Sequence, residues 1–239
     1  MSETEFLIGV VDFPVAKKLV FADTNIVELS APYNSGPPKI KVAKKWREEA
    51  PLTHSFSVQV PKFLFETPPP NTPLPGKLDQ YGEFRTTEEN VSLFEKTLEF
   101  ASGLGSSTLV FLTPPEFTPT KNHRGALKDF LAAVPKEGYS LVWEPHGPWE
   151  NETAGMLARE LGLTLAVDPL RDTPYPGPDN TAYFRLGPFA AMGSRLGIYE
   201  LEKLIEAGKE FERVTCVFQT PRALDDARNM KHALEETDA

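Results

Sequence analysis

The sequence predicts an α/β protein of the TIM (β/α)8 barrel class, with parallel strands. Three observations carry that prediction. Eight short runs rich in β-branched and aromatic residues recur along the 239-residue chain. Most end in a polar or charged side chain and give way to a helical stretch, the rhythm of βαβ units in a parallel sheet. The signatures of open nucleotide-binding sheets are missing, since no GxGxxG follows the first strand and no GxxxxGKS/T occurs.

The first strand is Phe6 to Val11, ending at Asp12, with a short helix after Pro14. The second runs Asn25 to Ser30, and a Pro- and Gly-bearing loop, Pro32 to Pro38, leads to a helix through Trp46. Ser55 to Val60 alternates with period two and is the third strand. The stretch from Pro61 to Arg85 carries Pro68, Pro69, Pro70, Pro73 and Pro75, so it reads as a loop insertion. Its Phe63, Leu64, Phe65, Tyr81 and Phe84 predict that part of it packs down. Thr86 followed by Glu89 has capping-box spacing, and Gly103 or Gly105 ends the helix it opens.

Strand four is Thr108 to Leu112, followed by a helix near Asn122 to Val134. Strand five, Leu141-Val142-Trp143-Glu144, leads to His146 and to a helix after Trp149. Strand six is Leu163 to Val167, ending at Asp168, and a Pro-rich connection to Pro178 replaces the sixth helix. Strand seven is Ala182 to Leu186, followed by a Gly-rich loop and a helix from Tyr199 to about Glu210. Strand eight is Val214 to Phe218, ending at Gln219, and Pro221 suits the first turn of a last helix.

The length fits one barrel domain, residues 1–239 with the 61–85 insertion, with two small domains as the weaker reading, and the composition (40% hydrophobic, 25% charged) is that of a chain that buries a core. No apolar run reaches the roughly 20 residues of a membrane span. The acidic N-terminus lacks a secretion signal, which predicts a cytoplasmic protein. Cys216 lies in an apolar run and reads as a buried small hydrophobe. A net charge of −9 disfavours nucleic acid as a partner of the whole surface without excluding a local basic cleft. The Lys39 to Arg47 cluster has the spacing of a solvated helix face.

In such barrels the chemistry sits at the C-terminal strand ends. That rule selects Asp12, Glu28, Ser30, Gln59, Glu144, His146, Asp168, Arg171, Arg185 and Gln219. Period two puts Glu28 with Ser30, and Glu144 with His146, on common faces. Two chemistries follow. Glu28, Glu144, Asp168 and His146 offer ligands to a divalent cation, although no HExxH or dense ligand cluster supports it. Without a metal, a carboxylate beside His146 handles the proton while Arg185 holds an anionic group. Structural roles compete. Glu28 and Arg185 pair in a polar end layer, His146 and Asp168 organise turns, Asp12 caps a helix, and Trp143 and Trp149 pack. His54 and His123 stand at element starts and read as surface residues.

Several segments in order resemble the YecE-like family (domain of unknown function 72). They are Ile8-Gly9, Val27-Glu28-Leu29-Ser30 with Tyr33, Lys44-Lys45-Trp46-Arg47 before Phe56-Ser57-Val58, and Thr113-Pro114-Pro115-Glu116-Phe117. Glu144 with His146 and Trp149, Tyr183-Phe184-Arg185-Leu186, and Tyr199 before Leu201 follow. The resemblance implies a TIM barrel without an established reaction, and it marks Glu28, Glu144, His146, Trp149 and Arg185 as family features. Where the family usually has a lysine near Gln59 and then a Thr-His pair, this chain departs. It also has Leu112 for a glutamine, Pro145 for an arginine, Gly187 for a histidine, and Phe218-Gln219-Thr220 for Phe-Asn-Asn. The resemblance is therefore that of a divergent member, with altered or lost activity an expected consequence.

The expectation drawn is an enzyme-like barrel performing hydrolytic or acid–base chemistry on a small polar molecule, sugar-like or phosphorylated. Glu28, Glu144, His146 and Asp168 are the catalytic candidates, and Arg185, Tyr33, Gln59 and Trp149 the substrate-binding ones. Two alternatives stand beside it: a non-catalytic binding or scaffold protein built on a decayed site, and a metal-dependent nucleic-acid-processing barrel. The sequence assigns no cofactor, metal or oligomeric state.

Overall fold

The computed structural model describes residues 4–187 and 196–237. Its eight parallel strands close into a barrel in sequence order. The strands are β1 (Glu5–Val11), β2 (Ile26–Leu29), β3 (Ser55–Gln59), β4 (Thr108–Thr113), β5 (Ser140–Pro145), β6 (Thr164–Val167), β7 (Thr181–Leu186) and β8 (Arg213–Phe218). The helices are α1 (Lys17–Asp23), α2 (Ala31–Ser35), α3 (Ile40–Glu49), α4 (Glu88–Leu104), α5 (Lys121–Ala133), α6 (Asn151–Leu161), α7 (Ile198–Gly208) and α8 (Ala223–Thr237). As expected, no α-helix stands between β6 and β7, where only a short 3-10 turn, Pro178–Asn180, occurs. None of the described helices is long and apolar enough to cross a membrane.

The backbone contacts define two compact units. The first takes the chain up to Glu28, Ala50–Ser55, and the chain from Thr164 onward. In it β8 pairs in parallel with both β1 and β7, with Ile8 opposite Cys216 and Phe184 opposite Cys216 on the other side. Gly9 fixes the approach of β1 to β2, because a Cβ there would lie 1.9 Å from the Ile26 carbonyl oxygen. The second unit comprises Leu29–Glu49 and Phe56–Leu163, with β4 paired to β3 and β5. The strand interiors are buried almost throughout, as expected when helices cover a parallel sheet.

The 61–85 insertion packs down as its apolar residues predicted. Phe63, Leu64, Phe65, Tyr81 and Phe84 are all buried. Phe84 meets Phe65, Phe111, Phe117 and Phe130 at ring distances of 5.4 to 6.3 Å. Three consecutive residues, Gly82, Glu83 and Phe84, have positive φ of 87°, 54° and 51°. Fully buried Asn90 holds this left-handed run. It donates to the Gly82 and Arg85 carbonyls (3.1 and 2.9 Å) and accepts from the Gly82 N–H at 3.3 Å.

Several local expectations are corrected. β2 stops at Leu29, and Ser30 already has helical backbone (φ −89°, ψ −7°) as the N-cap of α2, so strand alternation does not reach it. The N-cap of α4 is Thr87 rather than Thr86; its hydroxyl accepts from the Asn90 N–H, while Glu89 takes the Lys77 N–H. Gly105, with φ 67°, closes that helix in the left-handed conformation that glycine adopts at least cost. Asp12 caps no helix: α1 begins five residues later behind Ala16, and Asp12 has φ 55° with its N–H on the Glu28 carbonyl. His54 is 4% exposed rather than a surface residue, packed edge-on against Phe21 at 4.9 Å. The core of the Gly-rich loop before α7 lies outside the described residues.

Candidate functional site

In the first unit, period two on β7 puts Tyr183 and Arg185 on one face. Both reach the β2 carboxylate. The Tyr183 hydroxyl donates to Glu28 Oε2 at 2.7 Å, and Arg185 Nε donates to Glu28 Oε1 at 3.0 Å. The Glu28 side chain is fully buried and that of Arg185 is 5% exposed. A buried carboxylate is tolerable only when charge and hydrogen bonds replace lost water, which these donors do. The structure thus brings two predicted residues together and adds Tyr183, absent from the candidate set. Its spacing from Arg185 was the available signal.

Asp168 follows β6 and organises the next turn. Its Oδ1 accepts the Leu170 N–H at 3.0 Å, and its carbonyl accepts from Arg171 and Asp172. Its charge is felt at Cys216. Burial, first, and Asp168, second, push that thiol well above the ordinary cysteine range, so it stays protonated and inert at neutral pH. Arg171 and Gln219 are exposed, and Gln219 uses its N–H on the Leu186 carbonyl.

In the second unit, Glu144 is the penultimate residue of β5 and His146 follows the strand. His146 N–H donates to the Thr113 carbonyl at 3.0 Å, which fixes where the imidazole starts. Its Nε2 then lies 3.4 Å from Glu144 Oε1, with side-chain exposures of 41% and 22%. This is a carboxylate–imidazole pair open to solvent at a strand end. Trp149, expected to bind substrate, stands in an aromatic cluster, 4.9 Å from Trp143 and 5.9 Å from Phe117. Its indole N–H is spent on the Phe117 carbonyl. Gln59 is buried, and Tyr33 is half-buried with its ring 6.4 Å from Phe65.

A feature the sequence reading missed lies in the same unit. The loops after β3 and β4 enclose a cleft of about 620 Å³ lined by Phe65, Glu66, Thr67, Glu83, Pro114–Phe117 and His123. His123, expected at the surface, is half-buried and stacked on Phe117 with ring centres 5.0 Å apart. Among the described residues, no three His, Cys, Asp or Glu side chains are grouped to hold a metal ion.

No protein-family model matches the sequence, and no curated protein matches it. Solved structures do. A DUF72 family protein of Enterococcus faecalis superposes with TM-score 0.73 at 17% identity, covering 98% of this chain and 99% of that one. A DUF72 family protein of Thermotoga maritima gives 0.69 at 17% identity, with 97% and 99% covered. D-psicose 3-epimerase of Clostridium cellulolyticum, solved with D-tagatose, gives 0.56 at 9% identity with 98% of each chain covered. The fold expected from the resemblance is thus met: this is a TIM barrel of the architecture that these DUF72 structures share.

Proposed function

We propose that this chain is a divergent DUF72-type barrel that performs acid–base chemistry on a small polar ligand, with Glu144 and His146 as the proton-handling pair. The observation that carries the reading is their 3.4 Å contact at a solvent-reached strand end. A carboxylate beside an imidazole steadies the imidazolium formed when the ring takes a proton, and the ring returns that proton later. With Nε2 engaged by Glu144, the half-exposed ring offers Nδ1 to a ligand. Asp168 remains a candidate second carboxylate, and Gln59, Tyr33 and Trp149 candidate contacts.

Arg185 is assigned to orientation rather than first contact, since its Nε is committed to Glu28. Burial of that pair, with Tyr183, supports a fixed polar foundation beneath the strand ends. Sugars are the first ligands to test, because a barrel of the same fold is a D-psicose 3-epimerase; fold likeness alone motivates that choice. We further read the two units as one domain, on the unbroken strand order from β1 to β8, and the protein as cytoplasmic.

The test is a thermal-shift screen of ketoses, aldoses and their phosphates, followed by solvent-deuterium exchange on any binder by proton NMR. Wild type is expected to bind at least one ligand and exchange a carbon-bound proton. Glu144→Gln and His146→Gln should lower the exchange rate by about 10²–10⁴-fold while unfolding at the wild-type temperature. Exchange at the wild-type rate in both variants would remove the assignment. Binding without exchange, untouched by either variant, favours the decayed-site alternative.

A further inference from the structure

We infer that the cleft between the β3–α4 insertion and the β4–α5 loop is a binding site for a small organic cation, a protonated amine carried on a compact carbon skeleton. It is independent of the Glu144–His146 pair. Its volume, about 620 Å³, is that of a small-molecule site, and it is built from βα loops, the side of a barrel where ligands bind.

The lining selects by charge. Glu66, Glu83 and Glu116 contribute three carboxylates, and no lysine or arginine lines the cleft. Two have cations behind them: Glu66 lies 3.7 Å from Lys62 Nζ and Glu83 lies 2.9 Å from Arg85 Nη2. Glu116 has no ion-pair partner among the described residues, so the cleft carries net negative charge. A phosphate or carboxylate ligand would meet like charge, whereas an ammonium group meets acceptors.

The rest of the lining supplies shape. Phe65, Phe117, Pro114 and Pro115 give apolar wall for a carbon skeleton. His123 Nδ1 is engaged by Thr118, 3.0 Å from both its N and its O, which leaves Nε2 as the ring atom available to a ligand. The walls are held in place beforehand. Phe117 is stacked between His123 and Trp149, with interplanar angles of 20° and 21°. Glu83 is aimed by the left-handed run that Asn90 clamps. Walls already fixed lower the ordering cost of binding.

The test uses three probes of one shape: benzylamine, benzyl alcohol and benzoate. Each is titrated into the full-length, ¹⁵N-labelled protein, following the His123 ring and the Glu116 and Phe117 amides. Benzylamine is expected to shift these signals saturably, benzyl alcohol to bind several-fold more weakly, and benzoate to bind least. Replacing both surface carboxylates, Glu83→Gln with Glu116→Gln, should weaken benzylamine about tenfold, as two exposed ion pairs acting additively do, and leave benzyl alcohol unchanged. Equal affinity for the three probes, shifts at other residues only, or indifference to the double variant overturns the assignment. Glu144→Gln should leave benzylamine affinity at the wild-type value, so failure here and failure of the acid–base reading are told apart.

Discussion

Replacing Arg185 with methionine is the sharpest test of how the first unit is built. The perturbation removes the guanidinium whose Nε sits 3.0 Å from Glu28 Oε1, inside a pair with side chains 5% and 0% exposed. Methionine keeps much of the apolar stem, so the dominant change is electrostatic. The Glu28 carboxylate keeps the Tyr183 hydroxyl at 2.7 Å but loses its cation where water does not replace it. Breaking a buried pair from one side costs about 3–5 kcal/mol. For a chain of this length each kcal/mol moves the midpoint by about 2–4 °C, so a fall of roughly 6–20 °C is expected. The double variant Glu28→Met/Arg185→Met removes both charges and their desolvation together. It should recover most of the loss. Urea unfolding followed by circular dichroism, with thermal scans alongside, measures all three proteins. A single variant within about 1 kcal/mol of wild type, or a double variant as unstable as the two losses summed, would refute the argument. The same reasoning makes Arg185→Ala a poor probe of ligand binding, because its effect on folding comes first.

Three further outcomes are expected. Asn90→Ala removes the side-chain hydrogen bonds at the left-handed run, although the Gly82 N–H still meets the Phe63 carbonyl and the Gly82 carbonyl the Arg85 N–H, and should destabilise by about 1–3 kcal/mol in chemical unfolding; a change below about 0.5 kcal/mol would mean the run holds itself. Gly9→Ala drives a methyl into the Ile26 carbonyl and should cost about 3 kcal/mol or abolish soluble expression, which a wild-type melting temperature would contradict. Burial raises the Cys216 thiol, so above the ordinary thiol range of about 8.5 the unfolded chain releases a proton that the folded chain keeps. Stability from this group is whole below that range and falls as pH rises, by at most about 1.4 kcal/mol per pH unit. Cys216→Ala should flatten that alkaline limb of the stability–pH curve, and an unchanged slope would count against the burial argument.

The barrel was legible because strand and helix periods are local properties of side-chain order. Eight apolar runs of strand length and the helices between them were readable within a few residues of their observed bounds, and so was the missing helix after β6; the exception is α2, Ala31–Ser35, which forms where Pro32 to Pro38 was expected to be a loop. Phe63, Leu64, Phe65, Tyr81 and Phe84 announced a packed insertion, because a chain does not leave that much aromatic surface in water. What failed was decided by backbone geometry that composition does not encode. Ser30 turns helical one residue after β2, Asp12 turns left-handed, and the α4 cap moves by one position.

The candidate site divides the same way. Residue order sufficed to name Glu28, Glu144, His146 and Arg185, since strand ends and period two are one-dimensional. Which of them is buried and which is open required the fold. Glu28 with Arg185 and Tyr183 is shut away from water, whereas Glu144 with His146 stays open to solvent at the end of β5. His123 shows the limit most plainly. Its stacking on Phe117 is local, but the cleft that it edges exists only because the insertion carrying Phe65, Glu66 and Glu83, distant along the chain, supplies the other wall. Periodicity is written in neighbouring residues, whereas a cavity exists only between residues that folding brings together.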